Sequence, residues 1–248
     1  MDASPSPSVP NAFGQPVGIA LPGWRPPQRP GREAREGRFC RLEPADPLRH
    51  ALPLHEAYAA DPTGALWTYL PFGPFATAAD YAAWIEEKSR EDDSLHFAVV
   101  DRESGTPLGL LGYLRIRPGE GAIELGGVTF SPALQRTAHA TEASFLMIEK
   151  AFALGYRRCE WKCDSLNLPS RRAACRLGFT FEGIFRQALV VKGRNRDTAW
   201  FSILDAEWPP LRRAFATWLA PENFSAEGVQ RQSLSLLTDP EAATPPEE

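Results

Sequence analysis

The chain has 248 residues, 43% hydrophobic and 23% charged, an ordinary globular composition that separates it from disordered and fibrous chains. Its net charge of −4 gives no support to a nucleic-acid-binding role, and no run reaches the roughly 18 apolar residues needed to cross a membrane. The opening MDASPSPSVP is polar and proline-rich with no apolar signal core, so the expected location is cytoplasmic.

Residues 1–36 are rich in Pro and Gly and carry alternating charge in PGREAREGR. They read as an extended arm with Phe13, Ile19 and Trp24 as docking residues. The arm either folds over the domain or crosses to a second subunit, so a homodimer is one arrangement it permits. An α+β domain is expected over 37–220, then a C-terminal extension over 221–248. The last ten residues of that extension, DPEAATPPEE, lack apolar anchors and are expected to be disordered.

Within the domain a strand is expected over 39–42. A helix follows over 46–59, with Leu48, Leu52, His55 and Tyr58 near helical spacing. Residues 67–75 form an aromatic loop. Thr77, with Asp80 three residues on, opens a helix to about residue 90. A strand spans 95–100, and strands 108–116 and 122–130 pair as an antiparallel hairpin. The next helix, 141–154, stops at Gly155. A strand at 158–163 and a helix at 167–177 follow. Strands 179–191 and 196–204 turn back at Gly193, and a helix over 205–219 closes the domain. Hairpins with interleaved helices predict one mixed, mostly antiparallel sheet flanked by helices.

Cys40, Cys159, Cys163 and Cys175 have no spacing that completes a zinc set, so they read as buried reduced thiols and no metal is expected. The stretch with the most chemistry runs from Gly121 to Thr141. It is a strand carrying a single acid, Glu124, then a small-residue loop that opens a helix. Amides at a helix N-terminus bind phosphate, and an acid beside them can take a proton. The pattern suggests an enzyme that holds a phosphorylated cofactor. The basic run 192–196 reads either as a phosphate patch or as a solvated hairpin turn.

Three segments in order resemble the GCN5-related N-acetyltransferase (GNAT) family, and more closely its ribosomal-protein-acetyltransferase-like branch. They are the loop Gln135-Arg136-Thr137-Ala138-His139-Ala140, the run Asn167-Leu168-Pro169-Ser170-Arg171, and Arg176-Leu177-Gly178-Phe179. The resemblance covers about 39–205. It implies transfer of an acetyl group from acetyl-CoA to a primary amine, either a peptide N-terminus or a small molecule, by direct attack. It implies that amides from Gln135 to Thr141 grip the pyrophosphate and that Asn167 contacts the pantetheine arm. Backbone around Val128 would hold the oxyanion, with Phe130 pairing to pantetheine like a strand.

In this resemblance Glu124 is the base or amine-orienting group; the other reading is a strand glutamate paired with Arg115 or Arg117. Ser170 stands where it can donate a hydrogen bond to the departing thiolate, or is simply a first-turn helix residue. The chain departs from the family pattern twice. Ala138 replaces the middle glycine of the loop, and Ala174 stands where many members carry a tyrosine acid. These departures motivate the alternative of a non-catalytic acyl-CoA sensor. Trp67, Tyr69, Phe72 and Phe75 correspond to the acceptor-side loop and are either groove lining or core. Asp164 is a candidate for orienting a cationic acceptor. His139 reads as a loop residue, His96 as a satisfied core group, and His50 and His55 as facing the core of the first helix.

Overall fold

Valine-, leucine- and aromatic-rich runs punctuated by Gly and Pro set the strand boundaries, and the computed structural model describes residues 7–238. The arm contains a small hairpin, β1 (Ser8–Pro10) and β2 (Pro16–Gly18), then β3 (Arg35–Glu36). Then come β4 (Cys40–Pro44), α1 (Pro47–Ala59), α2 (Ala78–Ser89), β5 (Leu95–Asp101), β6 (Pro107–Arg117) and β7 (Ala122–Phe130). The second half holds α3 (Ala138–Ala153), β8 (Arg158–Asp164), α4 (Leu168–Arg176), β9 (Thr180–Val191), β10 (Arg194–Leu204), α5 (Trp208–Leu219) and α6 (Leu234–Thr238). The main sheet has the order β3-β4-β5-β6-β7-β8-β10-β9, antiparallel throughout except for the β7–β8 pair.

Alternation along the strands splits the side chains between two cores. Leu111, Tyr113, Ile123, Leu125, Cys159 and Trp161 face α3, α4 and α5 in the larger one. Ala98, Val100 and Leu110 face α1 and α2 in the smaller one, with Leu54, Tyr58, Trp67, Tyr81 and Ile85. Glu142 of α3 is buried and accepts the backbone amides of Arg38, Phe39 and Cys40 at 2.6, 2.7 and 2.9 Å. Three charge-assisted bonds from one carboxylate tie the start of β4 to the helix. No helix among the described residues is long and apolar enough to cross a membrane.

Several expectations change. In α1 the buried residues are His50, Ala51, Leu54 and Tyr58, whereas Leu48 and Leu52 are exposed. The helix starts at Pro47 with Asp46 as N-cap, and its docking buries His50, Leu54 and Tyr58, about 200° round the axis from Leu48 and Leu52. In the arm, Phe13 is 87% exposed and Ile19 is also exposed, so neither docks, while Trp24 stands against Gly121. Residues 221–238 pack on the domain: Asn223 donates to the carbonyls of Trp218 and Gln232, and Leu234 is fully buried. The expected disorder of 239–248 lies outside the described residues. Cys175 is exposed, unlike the other three thiols, because it lies on the outer face of α4.

Candidate active site

The parallel ladder between β7 and β8 ends after three rungs, Ala122–Arg158, Ile123–Cys159 and Glu124–Glu160. Both strands continue beyond it, to Phe130 and to Asp164, without pairing to each other. A bulge drives them apart. The β6–β7 register jumps from Leu110–Thr129 to Gly112–Gly126, so Gly127 and Val128 oppose the single residue Leu111. Gly127 has φ 61°, and a Cβ there would stand 3.2 Å from His96 Nε2. Glycine fits both the backbone and the space. Val128 is the second of the two bulged residues. The Phe130 carbonyl accepts from Gln135 Nε2 at 2.9 Å.

The loop after β7 presents backbone donors. The amides of Leu134 and Gln135 bond the carbonyl of Ser131, but those of Arg136, Thr137, Ala138 and His139 bond no acceptor among the described residues. Thr137 is the N-cap of α3 and accepts the Ala140 amide. Four successive donors at the positive end of a 16-residue helix make an anion cradle. The position with left-handed backbone is Arg136, φ 62°, not Ala138, which is the first helical residue. Alanine there meets no backbone strain, and one reason for doubting a cradle disappears. The helix begins three residues before the expected Thr141. His139 therefore belongs to its first turn, where Nε2 lies 2.9 Å from Asp101 Oδ1. The Thr141 side chain turns inward and accepts from Arg176 Nη1 at 2.9 Å.

On the sheet face opposite α3, charged side chains converge where apolar ones would be expected. Glu124 is 3% exposed and its Oε2 meets Arg115 Nη1, with Lys162 Nζ at 3.0 Å. Lys162 also meets Glu160 Oε2 at 2.8 Å and sits 3.7 Å above the Trp200 ring. Burial alone would raise Glu160, but hydrogen bonds from Lys162 and Arg158 outweigh it and hold its carboxyl below the usual range. Both ion pairs of Glu124 use Oε2. Its Oε1 turns to the bulge, 2.9 Å from where a Cβ on Gly126 would stand. The arrangement combines both readings of Glu124: it is paired with Arg115, and one oxygen remains free. Arg117 pairs instead with Glu120 and Glu160.

Across the gap, Asn167 caps α4 by accepting the Ser170 amide at 3.1 Å. Ser170 Oγ accepts from Trp161 Nε1 at 3.0 Å, which leaves the hydroxyl proton available as a donor. Burial pushes the neighbouring Cys163 thiol up, and Ser170 partly offsets this. Ala174, one turn along α4, is fully buried in the larger core. Asp164 faces its own turn, accepting the Leu166 amide at 2.9 Å, so its expected role toward an acceptor gives way to a cap. The aromatic loop resolves mostly as core. Trp67 is buried and packs edge-on against Tyr58, Phe72 and Phe75, while Phe72 stacks near Trp84. Tyr69 is half-buried beside them. Lys192, at the β9–β10 turn, reaches back to donate to the Trp67 carbonyl at 2.8 Å.

A family model described as acetyltransferase (GNAT) domain matches residues 40–180, more than half of the chain. The chain belongs to the GNAT acetyltransferase family. It is similar to a GCN5-related N-acetyltransferase of Brucella melitensis, with 48% identity, a TM-score of 0.85, and 88% of this chain and 100% of that one covered. A probable GNAT-family acetyltransferase of Chromobacterium violaceum shares 46% identity with a TM-score of 0.74, covering 78% of this chain and 97% of that one. The uncharacterized N-acetyltransferase p20 of Bacillus licheniformis is 29% identical over 139 residues, 56% of this chain and 78% of p20. The protein is thus an acyltransferase, and its family uses acetyl-CoA as cosubstrate. This GNAT chain also carries site groups that spacing did not expose. The only sequence signal for Lys162 is an alternation that places it beside Glu124 and Glu160 on one face. His96 was read as satisfied, yet its Nδ1 is buried without a partner.

Proposed function

We propose that this acyltransferase moves an acetyl group from acetyl-CoA to a primary amine, a peptide N-terminus or a small amine, by direct attack within a ternary complex. The ribosomal-protein-acetyltransferase-like branch is the part of the family it fits best. The residues present suit the cosubstrate: unpaired amides from Arg136 to His139 for a diphosphate, and an open strand edge at Val128 for an extended arm. Asn167 lies across the gap at the head of α4. Bound acetyl-CoA supplies a thioester carbonyl as the electrophile.

The observation that carries the reading is the half-engaged carboxylate of Glu124. Arg115 and Lys162 fix Oε2, while Oε1 faces Gly126 at the bulge. In our reading Oε1 accepts an N–H of the incoming amine and takes its proton as the C–N bond forms. The Val128 amide stabilises the carbonyl oxygen as it gains charge. Ser170 donates a hydrogen bond to the departing thiolate, which takes its proton from solvent, with Trp161 holding the serine oxygen in place. Asp164, Trp67, Tyr69 and Phe72 act at most as walls. Against a sensor without catalysis stand Glu124 itself and the unstrained Ala138. Titration calorimetry with coenzyme A, followed by thiol release from acetyl-CoA with an amine panel, tests the proposal. Micromolar binding and amine-dependent thiol release are expected. Binding with no turnover by any amine would favour the sensor, and no binding would end the cosubstrate assignment.

A further inference from the structure

His96 lies on β5 on the same sheet face as Glu124. Its imidazole is 7% exposed and hydrogen-bonds to nothing among the described residues. Room for the ring comes from two glycines. A Cβ on Gly112 would stand 3.0 Å from His96 Cδ2, and one on Gly127 would stand 3.2 Å from Nε2. The Trp84 ring covers the imidazole edge-on at 5.6 Å. Burial lowers His96 to about 4, against the pull of Glu91, with Lys88 and Arg32 adding to the lowering. The ring is therefore neutral at physiological pH and carries one proton.

The position of that proton follows from the two nitrogens. Nδ1 is sealed from solvent without a partner, whereas Nε2 is not sealed in this way and borders the bulge. A proton on Nδ1 would be an orphaned buried N–H, the rarer and costlier state, so Nε2 carries it. Nε2–H is then a donor aimed beside Gly127, and Glu124 Oε1 is an acceptor beside Gly126. The two glycines are consecutive, about 3.8 Å apart at Cα, so both groups border the same stretch of β7.

We propose that His96 determines acceptor specificity by donating Nε2–H to a neutral oxygen of the acceptor, one or two carbons from the amine that Glu124 receives. The inference rests on the acetyl-transfer reading above and deepens it. It selects amines that carry a carbonyl or hydroxyl nearby over plain alkylamines. His96 does not take a proton from the amine; it fixes the acceptor molecule while Glu124 receives the proton.

The test uses the full chain with acetyl-CoA and two probes, glycinamide and n-propylamine, for the wild type, His96→Leu and His96→Gln. His96→Leu should lower kcat/KM for glycinamide about tenfold, the worth of one hydrogen bond, and leave n-propylamine unchanged. His96→Gln, which keeps a donor at that reach, should restore much of the loss. Equal losses for both amines, or none, overturn the proposal. Imidazole ¹⁵N spectra of histidine-labelled protein give an independent readout and decide the matter where neither amine turns over. One resonance set should stay neutral with its proton on Nε2 from pH 5.5 to 8 and shift when acetyl-CoA and glycinamide are added together. A proton on Nδ1, a midpoint above pH 6, or no shift overturns it. Calorimetry with acetyl-CoA separates the two levels: loss of binding in the wild type removes the acetyl-transfer reading, whereas intact binding with an indifferent His96 removes only this inference.

Discussion

On the α3 side of the β7–β8 gap stand the unpaired peptide N–H groups of Arg136 to His139. On the opposite face stand side chains: Glu124, Lys162, Glu160 and His96 are buried, and the exposed Arg115 pairs with Glu124. Backbone donors tolerate many side chains as long as the chain path is kept. A buried charge network tolerates almost none, because removing one partner leaves another uncompensated in low dielectric. The first half can therefore serve a constant cosubstrate, and the second can be tuned to a particular acceptor.

Breaking the second half should have the larger effect. Glu124→Gln should lower kcat by roughly 10²- to 10⁴-fold, the usual worth of a positioned base. Coenzyme A affinity in calorimetry should hold, because the cradle lies on the other side. Gly127→Val attacks the point where the halves meet. It forces a branched residue into φ 61° against His96, so turnover should drop about 100-fold. A thermal melt should register roughly 1–3 kcal/mol of lost stability.

Thr137→Ala tests the backbone half alone. Loss of the cap on α3 should destabilise by about 1 kcal/mol and weaken coenzyme A binding several-fold with little change in kcat; an effect on kcat alone would contradict the division. Ser170→Ala should slow thiol release by about tenfold or less and leave cosubstrate affinity alone. The smallest effect is the acid limb of stability. Glu160 is held below its unfolded value, so its contribution is complete above pH about 4.5 and lost as pH falls through the folded value. Melts should already decline as pH falls below about 6.5, because His96 and His50 are held below their unfolded value; they should fall further below pH about 4.5, and Glu160→Gln should flatten part of that last fall.

Strand and helix order was legible because the signals are local: the Thr77–Asp80 capping box, the Gly193 turn and the Gly178 stop all stand where the sequence puts them. The bulge was legible from Gly126-Gly127, and Glu124 from its isolation on an otherwise apolar strand. What the sequence hid is non-local. Whether Trp67 lines a groove or a core depends on Tyr58 and Phe75 closing around it. Lys162 gains its place from a strand 38 positions away in sequence, where Glu124 waits. His96 gains its significance from two absent side chains, at Gly112 and Gly127, which a linear reading cannot weigh. The outward face of Leu48 and Leu52 was missed because spacing gives the period of a helix but not its phase.

The parallel ladder between β7 and β8 stops at Glu124–Glu160, and this has a thermodynamic consequence. The separation of the two strands is settled during folding, by the bulge and by pairing on their outer edges. An incoming thioester has no ladder to melt and little chain to order. Its association should show a modest entropy loss and a rate set by diffusion into an open slot rather than by a rearrangement of the fold.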